Sequence, residues 1–211
     1  MAHNGVLFLD ELPEFPRSVL DSLRQPLENR KVTIARANAH ITYPANFQLI
    51  AAMNPCRCGH LGDTSSSCHK APRCGADYRN KISGPLLDRI DIYIEMPIVS
   101  ILSPEISSTG ESTEVIRQRV IDARKIQIER YSNLNIRCNA EVDGEILNKF
   151  VQPDQAGLEL LKHVLREKYI SNRGYSRVLK VARTIADLAK SEKVKREHIA
   201  ETLNYCIRSY L

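Results

Sequence analysis

Two short apolar runs, Val6-Leu-Phe-Leu9 and Phe47-Gln-Leu-Ile-Ala-Ala-Met53, constrain the first half of this chain more than any other feature. Neither alternates cleanly between apolar and polar residues, so neither suits a strand with one wet face. Dense apolar strands of this length belong in a parallel sheet covered on both sides. Parallel strands need a crossover, and the intervening segment supplies one. Val19, Leu20, Leu23 and Leu27 fall at helical spacing, Pro16 suits a first helical turn, and Pro26 should end the regular helix near Arg24. Lys31–Arg36 and His40–Pro44 then alternate as a β-hairpin with Asn38 near its tip. Ile90 to Met96, alternating with Asp91 and Glu95, predicts one further strand.

Each apolar run ends in groups that carry chemistry. Val6–Leu9 runs into Asp10-Glu11, and Asn54 follows Met53. Ligands of open α/β sheets bind at the carboxyl ends of the strands. An Asp there can hold a water of a Mg²⁺ shell, an adjacent Glu can polarise an attacking water, and a neutral Asn can touch a terminal phosphoryl oxygen. The competing readings are a solvated acidic turn and a common Asn-Pro turn. No G-x-x-x-x-G-K-[ST] loop occurs in the 211 residues, so the chain holds no cradle for phosphates.

Ser83-Gly-Pro-Leu-Leu-Asp-Arg-Ile-Asp91 presents an exposed Arg89 just before the predicted strand. One guanidinium can neutralise charge developing on a transferred phosphoryl group, in trans if a neighbour supplies it. Alternatively, Arg89 pairs on the surface with Asp88 or Asp91. Arg173 opens a predicted helix, where a cation opposes the helix dipole unless an anion compensates. Arg177, Lys180 and Arg183 follow at helical steps and need no explanation beyond solvation. The hairpin carries Arg30, Lys31, Arg36, Asn38 and His40, which either contact a nucleic-acid backbone or pack on their own domain.

Six cysteines are unevenly placed: Cys56, Cys58, Cys68 and Cys74 cluster in one basic, Gly/Ser-rich loop, while Cys138 and Cys206 stand apart. Structural Zn²⁺ sites usually begin C-x₂₋₄-C, so Cys56-Arg-Cys58 is tight for two ligands of one metal. A Zn²⁺ site with His60 and His69 as spare ligands and a set of reduced thiols both remain open. A net charge of +5 permits nucleic-acid contact. No apolar stretch reaches the roughly 18 residues of a membrane span, and the start lacks a basic-then-apolar export signal, which points to the cytoplasm. A start directly on an interior strand suggests a piece of a longer chain.

Beyond residue 100 the pattern becomes helical. A helix begins near Ser112-Thr-Glu-Val115, with Val115, Ile116, Val120, Ile121 and Ile128 as its apolar face and Arg117, Arg119, Arg124, Lys125 and Arg130 over much of the rest. Four helices follow: about 140–149, from Pro153-Asp154 through Leu165, from near Arg173 through Leu188, and from near Lys195 through Ile207. These make a small bundle with its own core. The expected organisation is an α/β region over 1–100, a connector and helix over 101–138, and a helical domain over 139–211.

Five segments, taken in order, resemble one family: His3–Phe15 with its Leu-Phe-Leu-Asp-Glu, Leu23-Arg-Gln-Pro-Leu-Glu28, Ala51-Ala-Met-Asn-Pro-Cys-Arg-Cys-Gly59, Ser83–Asp91, and Arg177–Leu188. The set closely resembles the bacterial magnesium-chelatase-like AAA+ proteins, in the ComM/YifB group, over nearly the whole chain. The resemblance implies a truncated AAA+ P-loop NTPase core, with a parallel sheet and a pre-sensor-1 β-hairpin, followed by an all-helical lid bundle. It implies that Asp10 and Glu11 are the Walker B pair, Asn54 is sensor 1, residues 30–44 are the pre-sensor-1 insertion, and Arg89 is the arginine finger. Arg173 is similar to the sensor-2 arginine, and the helix near 112–131 to an insertion that repositions the lid. Proteins of this group form hexameric rings that use ATP and Mg²⁺ and act on DNA as branch-migration helicases during natural transformation. The Cys-containing loop points to that group and not to the subunit that drives Mg²⁺ insertion into protoporphyrin. Cys56-Arg-Cys58 departs from the more usual Cys-Pro-Cys, and Cys68 and Cys74 are separated by five residues where the family has a close Cys-x-Cys. With no Walker A segment, the chain alone is expected to lack ATPase activity. The alternatives are a non-enzymatic assembly or nucleic-acid-binding module, or a subunit of a magnesium-chelatase-type metal-insertion ATPase.

Overall fold

The structure, a computed structural model, describes residues 2–36, 39–59, 61, 70–71, 73–96, 110–168 and 171–206. The chain divides into two compact units, Met1–Ile90 and Asp91–Tyr210. The first is α/β and the second all-helical, the layout expected of an AAA+-like core followed by a helical bundle.

In the first unit, β1 (Val6–Leu9) pairs in parallel with β4 (Gln48–Ala51), from Val6 opposite Gln48 to Leu9 opposite Ala51. Further bonds extend this ladder at both ends: Gln48 N–H donates to the Gly5 carbonyl at 3.0 Å and Ala52 N–H to the Leu9 carbonyl at 2.9 Å. The parallel pairing follows the sequence reading, but the burial does not. Val6 is 55% exposed, Phe8 58% and Ile50 43%. These are the only two parallel strands among the described residues, so the second covering layer that such apolar strands call for is not supplied by them.

A 3₁₀ turn (Leu12–Glu14), α1 (Arg17–Ser22) and α2 (Arg24–Asn29) leave β1. The first helix ends close to Arg24, as expected, but a second takes over at once. The break falls at Leu23, and Pro26 lies in the first turn of α2, where its missing N–H is no loss. Arg30 then adopts a left-handed conformation, φ 56°, and turns the chain into the hairpin. There β2 (Lys31–Arg36) runs antiparallel to β3 (Ala39–Pro44), with the Thr33 and Thr42 hydroxyls 3.0 Å apart. The connection, Asn38 included, lies outside the described residues. Ile34, Ile41 and Tyr43 stay exposed, so the hairpin projects instead of packing into the core.

After β4, α3 (Arg73–Arg79) and α4 (Gly84–Leu87) complete the unit. Leu12, Leu20, Cys56, Tyr78, Ile82, Leu86 and Leu87 are among its buried apolar residues. Two polar contacts fasten α4 to the α1–α2 region: Ser83 Oγ donates to Asp21 at 2.5 Å, and Arg89 pairs with Glu28.

The strand expected at 90–96 is absent. A strand exists only through a partner, and the Tyr93 N–H goes instead to the Tyr205 carbonyl at 3.0 Å, which leaves Ile92, Ile94 and Met96 exposed.

The second unit begins with that extended segment and α5 (Thr113–Arg130), which starts where expected, the Ser112 hydroxyl accepting from Val115 N–H. Its expected apolar face is not a buried one. Val115, Ile116, Val120, Ile121 and Ile128 are all at least 40% exposed, while Ala123 and Gln127 are buried. A 3₁₀ turn (Asn139–Glu141), α6 (Gly144–Phe150), α7 (Gln155–Lys168), α8 (Asn172–Leu188) and α9 (Arg196–Cys206) follow, close to the predicted positions. Their core centres on Leu161, Val178, Leu179, Ala182, Ala186 and Ile199, none more than 1% exposed. Burying a Leu, Val or Ile side chain stabilises by roughly 1.5–3 kcal/mol, so this cluster dominates the unit. Tyr131 joins it edge-to-face with Phe150, ring centroids 5.4 Å apart.

A buried polar network joins α5 to α8. Asp187, fully buried, accepts from Arg130 of α5 at 2.9 and 2.5 Å, from Arg183 Nε at 3.0 Å and from Asn139 Nδ2 at 2.8 Å. Tyr131 donates its hydroxyl to Asn139 at 2.8 Å. No helix among the described residues is long and apolar enough to cross a membrane.

Candidate functional site

The parallel register of β1 and β4 sets the site. Leu9 lies opposite Ala51, so Asp10 and Asn54 leave the same edge of the sheet, both exposed. β4 is shorter than the predicted strand and ends at Ala51, which puts Asn54 three residues beyond it and not one.

The turn after β1 is tightly specified. Leu12 and Pro13 are buried, and Leu12 N–H bonds back to the Ala52 carbonyl at 3.0 Å. For Leu12 to reach β4, Glu11 must take a left-handed conformation, φ 49° and ψ 47°, uncommon for a residue with a side chain. Its N–H bonds to Asp10 Oδ1 at 2.9 Å. Backbone strain of this kind, roughly 1 kcal/mol or more, persists only where the surrounding structure enforces it. Two exposed carboxylates thus stand side by side on a fixed turn. Carboxylate oxygens and a neutral amide suit a hard cation that keeps most of its waters, as Mg²⁺ does.

Sequence reasoning missed the wall beside this turn. Tyr78, buried on α3, lies close enough to Glu14 and Glu11 that burial and then these two carboxylates raise its phenol above the usual value. Lys81 reaches Glu14 at 3.4 Å and sits 5.2 Å from the Tyr78 ring centroid. Nothing in the periodicity marks α3, a short helix inside a loop-like composition.

Arg89 corrects the expectation of an exposed cation. Its side chain is 12% exposed, Nη2 pairs with Glu28, Nη1 donates to the Pro85 carbonyl at 2.6 Å, and Nε finds no hydrogen-bond partner among the described residues. Arg89 pairs with Glu28, which the sequence reading did not offer as its partner, because α4 brings Arg89 back against α2.

In the second unit, Arg173 occupies the exposed first turn of α8, capped by Ser171, which accepts from Gly174 N–H at 3.1 Å. An anion is already nearby. Burial lifts the Asp91 carboxyl above its ordinary range, opposed by Arg177, Lys180 and Arg173. The three cations left to solvation are engaged too. Arg177 donates to the Cys206 carbonyl at 3.2 Å, Lys180 pairs with Asp143 at 2.9 Å, and Arg183, only 3% exposed, pairs with Asp187. Arg130, expected on the solvated face of α5, is held by Asp187 instead.

Of the hairpin candidates, His40 is exposed on β3. The Arg36 side chain and Asn38 lie outside the described residues, as do Cys68, His60 and His69. Cys56, Cys58 and Cys74 come together, their sulfurs all within 4.8 Å of one another.

A parallel strand pair with Asp10, Glu11 and Asn54 beyond its carboxyl edge, followed by a helical unit, fits the class of truncated AAA+-like cores with a helical lid. Two family descriptions match nearly end to end: "Magnesium chelatase, subunit ChlI" over residues 1–103 and "Magnesium chelatase, subunit ChlI C-terminal" over 110–206. The chain belongs to the magnesium-chelatase-like AAA+ family, in the ComM/YifB group. It is 44% identical over 206 residues to the competence protein ComM of Haemophilus influenzae, covering 97% of this chain and 39% of that protein. To YifB of Escherichia coli it is 42% identical over 207 residues, covering 97% and 40%. A Mycobacterium bovis protein is 38% identical over 204 residues, covering 97% and 40%. The chain thus spans about 40% of the length of the curated relatives it matches.

Proposed function

We propose that this chain supplies the hydrolysis-directing edge of a hexameric, ATP-driven motor that acts on DNA. One observation carries this reading: the parallel register that puts Asp10, Glu11 and Asn54 on a single sheet edge. Mg²⁺, when bound with ATP, neutralises phosphate charge as the terminal phosphoryl group is transferred.

The chain's own residues divide the remaining work. Asp10 would hold the metal through a bound water. Glu11, fixed by its strained turn, accepts a proton-bearing contact from the attacking water and aligns it. Asn54 donates its amide toward a terminal phosphoryl oxygen without adding charge. Arg89 acts on the site of a neighbouring subunit, and Arg173 couples a bound phosphate to the helical unit in competition with Asp91. The hairpin, through Arg36, Asn38 and His40, meets the DNA backbone. The relative named as a competence protein supports a DNA substrate. This reading places the protein in the cytoplasm.

The test is ATP hydrolysis by the full-length protein with and without branched DNA. Stimulation by DNA, abolished by Glu11→Gln, is the expected result. An intact hexamer that binds no branched DNA even at low salt, where phosphate contacts are strongest, rejects the DNA half of the proposal and leaves a chelatase-type ATPase.

A further inference from the structure

Three cysteines gather where the chain leaves β4, two residues past Asn54. Cys56 is fully buried, Cys74 half-buried and Cys58 exposed, and none is in a disulfide. Cys56 Sγ and Cys58 Sγ are 3.1 Å apart, well beyond the roughly 2.05 Å of a disulfide bond. Cys206 is the contrasting case, a lone buried thiol pushed up to about 11 by burial, with the Asp91 carbonyl as its acceptor at 3.3 Å.

The backbone builds this meeting point. Gly59 N–H closes a turn on the Cys56 carbonyl at 3.0 Å, and Gly59 takes φ +80°, which favours glycine. Opposite it, the first turn of α3 carries Cys74, whose N–H bonds to the Lys70 carbonyl at 3.1 Å. Gly75 seats this turn. A Cβ there would fall 2.5 Å from Leu61 Cδ2 and 3.1 Å from the Pro55 carbonyl oxygen, so glycine lets α3 approach the β4 exit this closely without displacing either neighbour.

We propose that Cys56, Cys58 and Cys74 are thiolate ligands of one structural zinc ion. Tetrahedral zinc with Zn–S bonds of about 2.3 Å spaces its sulfurs about 3.8 Å apart. That value falls between the 3.1 Å contact and the 4.8 Å limit of the cluster. The single residue between Cys56 and Cys58, which looked too short a spacer, does not keep their sulfurs apart. Soft thiolates select zinc over the harder Mg²⁺ that suits Asp10. The ion pins α3 to the end of β4 and so fixes the segment from which Asn54 projects. The proposal does not depend on the ATPase reading.

The test uses the full-length protein, purified under reducing conditions without chelator. The expected result is about one zinc ion per chain by elemental analysis. Replacement by Co²⁺ should give thiolate-to-cobalt charge-transfer bands and tetrahedral d–d bands. Cys58→Ser, at an exposed position that leaves folding intact, should weaken zinc binding by about 100-fold or more and remove one thiolate's share of the charge-transfer intensity. Cys58→His should retain the metal, and Cys138→Ser should change nothing. Parallel Cys68→Ser, His60→Ala and His69→Ala variants identify the fourth donor by the same loss. Protein that retains no zinc after equilibration with the ion overturns the proposal. So does a Cys56–Cys58 disulfide in the native protein, bound iron with labile sulfide, or zinc affinity unaltered by Cys58→Ser.

Discussion

Arg130 at the end of α5 forks onto Asp187 near the end of α8, both nitrogens of its guanidinium engaging the one carboxylate. Arg183 and Asn139 complete the shell, and burial pulls the Arg183 guanidinium below its ordinary value. A lone carboxylate this deep would be costly, and here it is tolerable because every partner is in place. Removing it strands two partly desolvated cations. Asp187→Ala should therefore destabilise the helical unit by about 3–5 kcal/mol. Urea unfolding followed by circular dichroism measures this, and a loss comparable to that of an exposed charge would show that water replaces the carboxylate.

Glu11 sets stability against chemistry. Glycine at this position would relieve the left-handed conformation, and Glu11→Gly should stabilise the protein by about 1 kcal/mol. In the full-length protein both Glu11→Gly and Glu11→Gln should lower the rate of ATP hydrolysis by roughly 10²- to 10⁴-fold while nucleotide still binds. Thermal melts and steady-state hydrolysis on the same samples are the check. Near-normal turnover in the Gln variant would remove Glu11 from the chemistry.

Arg89 is held by Glu28 and the Pro85 carbonyl, so it is poised on a rigid element and not free in solvent. Its alanine variant should lose about 10³-fold or more in hydrolysis. Lysine should not rescue it, because a point charge cannot reproduce the forked contacts. Rings mixed from Arg89→Ala and Glu11→Gln subunits should recover part of the activity, each defect lying on opposite sides of a shared site. Mixed rings as inactive as either parent would place Arg89 and Glu11 in one subunit's site.

Asp91 gives a pH signature. Burial raises its carboxyl above the ordinary value, so the folded state holds that proton more tightly than the unfolded chain. Its contribution favours folding fully below the unfolded value of about 3.9 and is lost as pH rises through the native value. Asp91→Asn removes this dependence. The variant should gain on the wild type as pH rises from about 4 to 7, measured by urea midpoints. A gap that stays constant or shrinks would mean that Arg177, Lys180 and Arg173 outweigh desolvation.

What the sequence revealed and what it hid divide along the range of the interactions. The start of α5 at Ser112, the hairpin alternation and the parallel character of β1 and β4 are local signals, and each appears where the residues place it. The strand expected at 90–96 failed because alternation promises an edge but not a neighbour. The α5 stripe failed because Val115, Ile116 and Val120 satisfy helical spacing without a surface to meet among the described residues. Pairs such as Glu28–Arg89 and Arg130–Asp187 join residues far apart in the chain and depend on tertiary approach. Arg183 and Asp187, four apart on one helix, left a trace that could have been read.

The carboxylate turn hangs from a ladder of four residue pairs whose Val6 and Phe8 remain in contact with water. Amide protection follows burial and contact density, so the Leu12 and Ala52 amides that hold this turn should trade hydrogen for deuterium well before those of α8. Whatever layer covers the strands in the working assembly will slow that exchange. The backbone at the acidic edge is thus a built-in reporter of assembly, legible without a label or a substrate.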